Sequence, residues 1–149
     1  MKKKSLISII IPVTRINLLD TCIQSLIGNN ITNCEIIIHF NNIAESKNNY
    51  ENFTNVYNVG HLSFLEISNL LQNMELIITT DTVFVHLCGS LGIPCLLLLS
   101  KNAEWRWFDD RKKTIWYPSV RILRQKKIGN WNTEIDIIKK FINLKLLKF

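Results

Sequence analysis

Residues 75–100 read ELIITTDTVFVHLCGSLGIPCLLLLS. The apolar runs ELIITT (75–80) and PCLLLLS (94–100) have strand length and are apolar throughout rather than alternating, as expected of strands covered on both faces. Residues 82–91 between them read as a helix, closed by Gly92, the residue type that most readily takes the left-handed conformation at a helix end. Outward from this unit the alternation continues. Upstream, LISIIIPV (6–13) and CEIIIHF (34–40) are further buried strands, and residues 17–27 place Leu18, Leu19, Cys22, Ile23, Leu26 and Ile27 on one helical face that stops at Gly28. A short strand is expected at 55–59, and SFLE at 63–66 has capping-box spacing, starting a helix that runs to about Asn73. Downstream, VRILRQ (120–125) is another strand. A final helix, capped at Asn132 or Thr133, carries Ile135, Ile138, Phe141 and Ile142 on its apolar side. About six strands alternating with helices predict an α/β fold, a Rossmann-like doubly wound parallel sheet forming one domain over residues 1–149. The polar, Asn-rich stretch 41–53 is the one long loop or junction candidate.

Composition agrees. The 149 residues are 47% hydrophobic and 20% charged with 5 Gly and 3 Pro, which excludes disordered and collagen-like classes. At this length folding buries roughly 70% of the unfolded chain's surface, so a core forms without a staple. Cys22, Cys34, Cys88 and Cys95 lie in apolar runs without CxxC or Cys/His ligand spacing, pointing to reduced thiols, a cytoplasmic setting and no zinc. The start, MKKKSLISIIIPV, imitates a signal peptide, but its apolar run ends at Pro12 and lacks a small-residue cleavage site. No stretch approaches the roughly 20 apolar residues of a membrane helix, so at most peripheral membrane contact is expected. The net charge of +6 is concentrated in residues 101–149, which hold 13 basic and 5 acidic residues. Such a pole attracts anionic lipid, nucleic acid or a phosphate-bearing small molecule, or is a solvated lysine surface. Its lysines are not interleaved with a nucleic-acid-binding motif, so nucleic acid is not expected.

In doubly wound sheets ligands bind beyond the carboxyl ends of the strands, facing helix N-termini. That directs attention to Thr79-Thr80-Asp81-Thr82, where a strand passes directly into a helix. A pyrophosphate there would meet Thr82, the N–H groups of Val83 and Phe84, and His86 one turn on. The structural alternative is that Asp81 or Thr82 merely caps the helix and His86 is a packed histidine.

The residues around this junction carry a family resemblance: Asp81-Thr82 with His86-Leu87, Gly89 and Leu91-Gly92 with Pro94, then Trp105-Arg106-Trp107, Trp116-Tyr117-Pro118, Arg124-Gln125, and Gly129 with Trp131. In this order they resemble the C-terminal, nucleotide-sugar-binding half of glycosyltransferase family 9 (heptosyltransferase-like) proteins, in the version found behind bacterial tetratricopeptide repeats. The resemblance covers roughly residues 54–142. It implies a GT-B architecture, a nucleotide-diphosphate sugar as donor substrate, no metal and no other cofactor, and a role in cell-surface glycan or lipopolysaccharide synthesis. Carried over, Asp81, Thr82 and His86 would lie at the donor diphosphate, with Val83 contributing its backbone amide. Trp105, Trp107, Trp116 and Tyr117 would wall the sugar, the alternative being an aromatic hook that packs the 101–119 loop onto the sheet. Arg106 and Arg124 would pair with phosphate, or with Asp109, Asp110 or Glu104. Two positions depart from the family pattern: Val83 stands where Ala or Gly is usual, and Glu104 replaces an Asp before Trp-Arg-Trp.

Residues 5–42 are similar to the opening strand-helix-strand of family 2 glycosyltransferases, which have a different, GT-A fold. Their acidic residues after the second strand are here His39-Phe40-Asn41-Asn42, and no Asp-x-Asp occurs, so metal-dependent GT-A chemistry is unsupported. These residues are expected instead to supply the first β-α-β of the same sheet. A GT-B enzyme keeps its acceptor site in its N-terminal domain, and no catalytic residue is assignable here. The expectation is a donor-binding domain that transfers sugar when a partner chain supplies the acceptor half. The alternative is an inactive remnant serving as a binding or interaction module.

Overall fold

The structure is a computed structural model that describes residues 7–13, 24–25, 28, 34–40, 56–59, 62–108 and 112–144. Its core is a six-stranded sheet: β1 (Ile7–Val13), β2 (Glu35–Phe40), β3 (Val56–Asn58), β4 (Leu76–Thr80), β5 (Cys95–Leu99) and β6 (Val120–Arg124). The spatial order is β3-β2-β1-β4-β5-β6, with every pairing parallel. This is the doubly wound Rossmann order, in which the direction of winding reverses between β1 and β4. The expectation that residues 6–13 and 34–40 belong to the same sheet as 75–100 holds: Ile9 pairs with Ile36 on one side and Ile78 on the other.

The strands at the centre are apolar on both faces because both faces are covered. On one face Ile10, Ile37, Ile77 and Leu97 meet α1 (Phe64–Leu71), through Ile67 and Leu71, and α2 (Val83–Leu91), through Phe84, Val85 and Cys88. On the other, Ile9, Ile36, Ile78 and Leu96 meet Ile138 and Ile142 of α3 (Asn132–Leu144). Each such side chain taken fully out of water contributes roughly 1.5–3 kcal/mol, which outweighs any local propensity. Cys34, Cys88 and Cys95 are buried thiols outside any disulfide. Burial, with the neighbouring Glu35 charge second, pushes the Cys34 thiol up to about 11. A side-chain hydrogen bond with Cys88, then burial, raises that of Cys95.

The helix ends follow local chemistry. Ser63 and Glu66 form the expected capping box: Ser63 Oγ accepts from Glu66 N (3.3 Å) while Glu66 Oε2 accepts from Ser63 N (2.8 Å). The hydrogen bonds from Ser63 hold the exposed Glu66 carboxyl below its usual range. The helix ends at Leu71, two residues short of the expected Asn73. Gly92 closes α2 at φ 70. Two expectations need correction. Residue 28 is itself helical, so Gly28 does not stop the preceding helix; the remainder of 17–27 and the 41–53 junction lie outside the described residues. α3 begins at Asn132, so neither Asn132 nor Thr133 is its cap, and the first-turn amide of Asn132 donates to Asn130 Oδ1 (2.9 Å).

Candidate functional site

The carboxyl end of β4, beside the point where the winding reverses, runs through Asp81 and Thr82 into α2. Thr82 occupies the N-cap with an extended backbone (φ −144, ψ 176), yet its side chain caps nothing and its hydroxyl faces Thr80 O at 3.4 Å. Asp81 does not cap the helix either. Its Oδ2 accepts from Trp107 Nε1 at 2.8 Å, and its Oδ1 lies 3.9 Å from His86 Nε2. The start of α2 therefore lacks the side-chain cap that its N-cap residue could give, and a helix start in that state favours an anion.

His86 is held in place from three sides. Its Nδ1 shares a 3.0 Å hydrogen bond with the Tyr117 hydroxyl, and with that hydroxyl as donor the ring proton on Nε2 faces Asp81. The imidazole stacks on Trp107 (5.6 Å, 23°) and meets the Tyr117 ring edge-on (5.7 Å, 68°). One third of the side chain remains exposed, so His86 is fixed but reachable. Tyr117 can approach this closely because Gly89, one turn further along α2, has no side chain: a Cβ there would stand 2.2 Å from Tyr117 Cγ. The sequence signalled Gly89 only as part of a resemblance. Its physical reason is the ring above it.

The 101–119 segment folds onto this edge through a one-turn 3-10 helix, Trp105–Trp107. Trp107 is 1% exposed. It is thus part of the packed hook and not a wall for a sugar, because its ring is spent on the core and on His86. Arg124, at the end of β6, secures the same turn by donating Nη2 to Trp107 O (3.2 Å) and to Phe108 O, where the backbone takes a positive φ of 47. Arg106 pairs with Glu104, the carboxylate alternative to a phosphate, and its carbonyl accepts from Trp116 Nε1 at 3.1 Å. Trp105 (78%) and Trp116 (53%) keep their rings exposed beside the cluster, as does Val83 at the start of α2 (40%). Gln125, with its amide oxygen turned inward, accepts from Trp131 Nε1 (3.0 Å) and Gly129 N (3.2 Å), which ties the 125–131 turn down. Of the ten residues expected at the site, Asp81, Thr82, Val83 and His86 share the helix start. Trp107 and Tyr117 brace it, Arg106, Trp116 and Arg124 hold the loop, and Trp105 stands free in solvent.

No model of a known family matches the sequence, and no curated protein matches it either. Among solved structures the fold is similar to that of the glycotransferase of kitacinnamycin, with a TM-score of 0.52 at 8% identity. That likeness covers 100% of this chain and 36% of the other, so the chain spans about a third of that protein's length. At such low identity the likeness concerns the fold alone, a Rossmann-like α/β sheet of the kind found in a glycosyltransferase. No helix among the described residues is long and apolar enough to cross a membrane.

Proposed function

We propose that this chain is a donor-binding domain of GT-B glycosyltransferase descent, similar to family 9, that holds the diphosphate of a nucleotide sugar at the start of α2. One observation carries the reading. At the carboxyl edge of the sheet, beside the winding reversal, the helix start is left without a side-chain cap, and the carboxylate that would cap it is turned instead to Trp107, leaving His86 braced and one-third exposed. The diphosphate would accept from the amides of Val83 and Phe84 and from His86, while Trp116 and Trp105 offer exposed faces to the sugar. The buried thiols outside any disulfide fit the cytoplasm. An acceptor half on a partner chain would complete the transfer site. A second reading, a binding module without turnover, is favoured by the exposure of Trp105, Trp116 and Ile115 on one loop.

Calorimetric titration with nucleoside mono- and diphosphates and nucleotide sugars tests this. Diphosphates should bind more tightly than monophosphates, and His86→Ala should weaken binding by about 1–3 kcal/mol, the range for losing one charge-assisted hydrogen bond. Absence of nucleoside diphosphate binding at millimolar concentration would overturn the proposal and leave the binding-module reading.

A further inference from the structure

The α3 side of the sheet carries a cavity that the proposed donor site does not use. α3 directs Ile138 and Ile142 onto the sheet cluster formed with Ile9, Ile78 and Leu96, and its neighbour on one flank is the edge strand β6. A cavity of about 480 Å³ opens there, walled by Leu96, Ile122, Leu123, Ile137 and Phe141. This size lies in the range of small-molecule sites. Its remaining lining among the described residues is cationic: Lys112, Lys113, Arg121, Arg124 and Lys126 stand against one carboxylate, Glu134. The Arg121 guanidinium lies over the Phe141 ring, 5.9 Å from its centroid, so charge and apolar surface meet within the cavity itself.

Arg124 and Lys126 also line a second hollow of about 470 Å³ past the ends of β5 and β6, together with Lys101, Asn102 and Gln125, and with no acidic residue among the described residues. Arg124 uses only Nη2, on two backbone carbonyls. Its Nε and Nη1 are buried without a hydrogen-bond partner among the described residues. A guanidinium satisfied by carbonyl oxygens alone has its donors partly met and its charge unmet, and an anion in the hollow that Arg124 lines offsets that cost through its charge. A phosphate suits a guanidinium flanked by two ammonium groups better than a single carboxylate does.

We infer that the adjoining hollows bind an anionic amphiphile, with a phosphate head at Arg124, Lys126 and Lys101 and an apolar chain in the cavity between β6 and α3. The inference stands apart from the nucleotide reading. The full chain is titrated with monomeric decyl phosphate, and with 1-decanol and inorganic phosphate as tail-only and head-only controls. Decyl phosphate should bind at least tenfold more tightly than either. The double variant K101E/K126E, on exposed positions, should weaken it at least fivefold. Ile137→Trp, which fills the apolar part, should weaken decyl phosphate and leave both inorganic phosphate and nucleoside diphosphate binding as in the wild type. The inference is overturned if decyl phosphate binds no better than inorganic phosphate, or if neither variant changes its affinity. Competition by nucleoside diphosphate, or binding confined to phosphatidylglycerol vesicles, overturns it as well: the first places the anion at α2, the second on the surface.

Discussion

Gly89→Ala isolates the contact that positions His86. A Cβ at residue 89 would lie 2.2 Å from Tyr117 Cγ, 2.4 Å from its Cδ1 and 2.7 Å from its Cβ. These atoms are the root of the side chain and not its mobile tip, so rotating the ring about its own axis does not clear the clash and the Tyr117 backbone must move. That backbone is itself engaged, since Tyr117 O accepts from Val120 N at the start of β6 (3.0 Å). Overpacking of this kind costs roughly 1–3 kcal/mol. Alanine in place of glycine within a helix returns about 1 kcal/mol at most. A net loss of up to about 2 kcal/mol follows, a fall in Tm of up to roughly 8 °C for a chain of this length. The hydrogen bond between Tyr117 and His86 is lost with it. In a Tyr117→Ala background only the 2.7 Å contact remains, so adding Ala at 89 should cost at least 1 kcal/mol less than in the wild type by the same bookkeeping. Urea unfolding of the four proteins in the cycle measures this. Equal costs of G89A in both backgrounds would refute the packing argument, and a stabilising G89A in the wild type would refute the geometry.

Two further outcomes are expected. Trp107→Phe keeps most of the buried ring but removes the donor to Asp81, and should cost about 1.5–3 kcal/mol, the range for a hydrogen bond to a charged group; a loss under about 0.5 kcal/mol in urea unfolding would show that the Asp81 contact is not formed in solution. For Cys34 the folded-state pKa, about 11 against an ordinary 9.0, is raised, so its contribution to stability is present below pH 9 and is lost as pH rises toward 11. Unfolding free energy should therefore fall across that window with a slope that Cys34→Ala reduces, and an unchanged slope in the variant would contradict the burial of that thiol.

Most of the sheet is legible in the sequence because central parallel strands must be apolar on both sides, and LISIIIPV, CEIIIHF, ELIITT and PCLLLLS have no other comfortable environment. The SFLE capping box and Gly92 are legible for a similar reason: each serves a backbone need local to a few residues. What escapes sequence reading depends on contacts between distant segments. Trp105 and Trp107 sit two positions apart in one turn, and nothing in Trp-Arg-Trp says that the second is 1% exposed and the first 78%. That division arises because Asp81, 26 residues away, receives the indole of Trp107. Arg124 shows the same limit: its charge suggests a carboxylate or phosphate partner, whereas its Nη2 reaches the carbonyls of residues 107 and 108. Glu134, in the first turn of α3, is 2% exposed beside the cavity under β6, a burial that its charge alone does not announce. The start of α3 differs from the expected cap at Asn132 or Thr133 for a more local reason, since Asn132 is already helical and its amide donates to Asn130 Oδ1.

The way the site's polar groups are used bears on what chemistry it can perform. Removing a proton from an acceptor hydroxyl requires a base within hydrogen-bond reach of it. Asp81 adjoins the helix start, and one of its oxygens is committed to Trp107 while the other faces His86. Glu104, on the neighbouring turn, is paired with Arg106. His86 has Tyr117 on one nitrogen and Asp81 toward the other, with Trp107 stacked on the ring. Among the described residues of this cluster, each group that could accept a proton already serves to orient its neighbour. On the proposed reading the edge is organised to hold a leaving diphosphate and to stabilise the charge that develops on it, a role preorganised dipoles perform well. Deprotonation of the acceptor then falls to groups outside the described cluster.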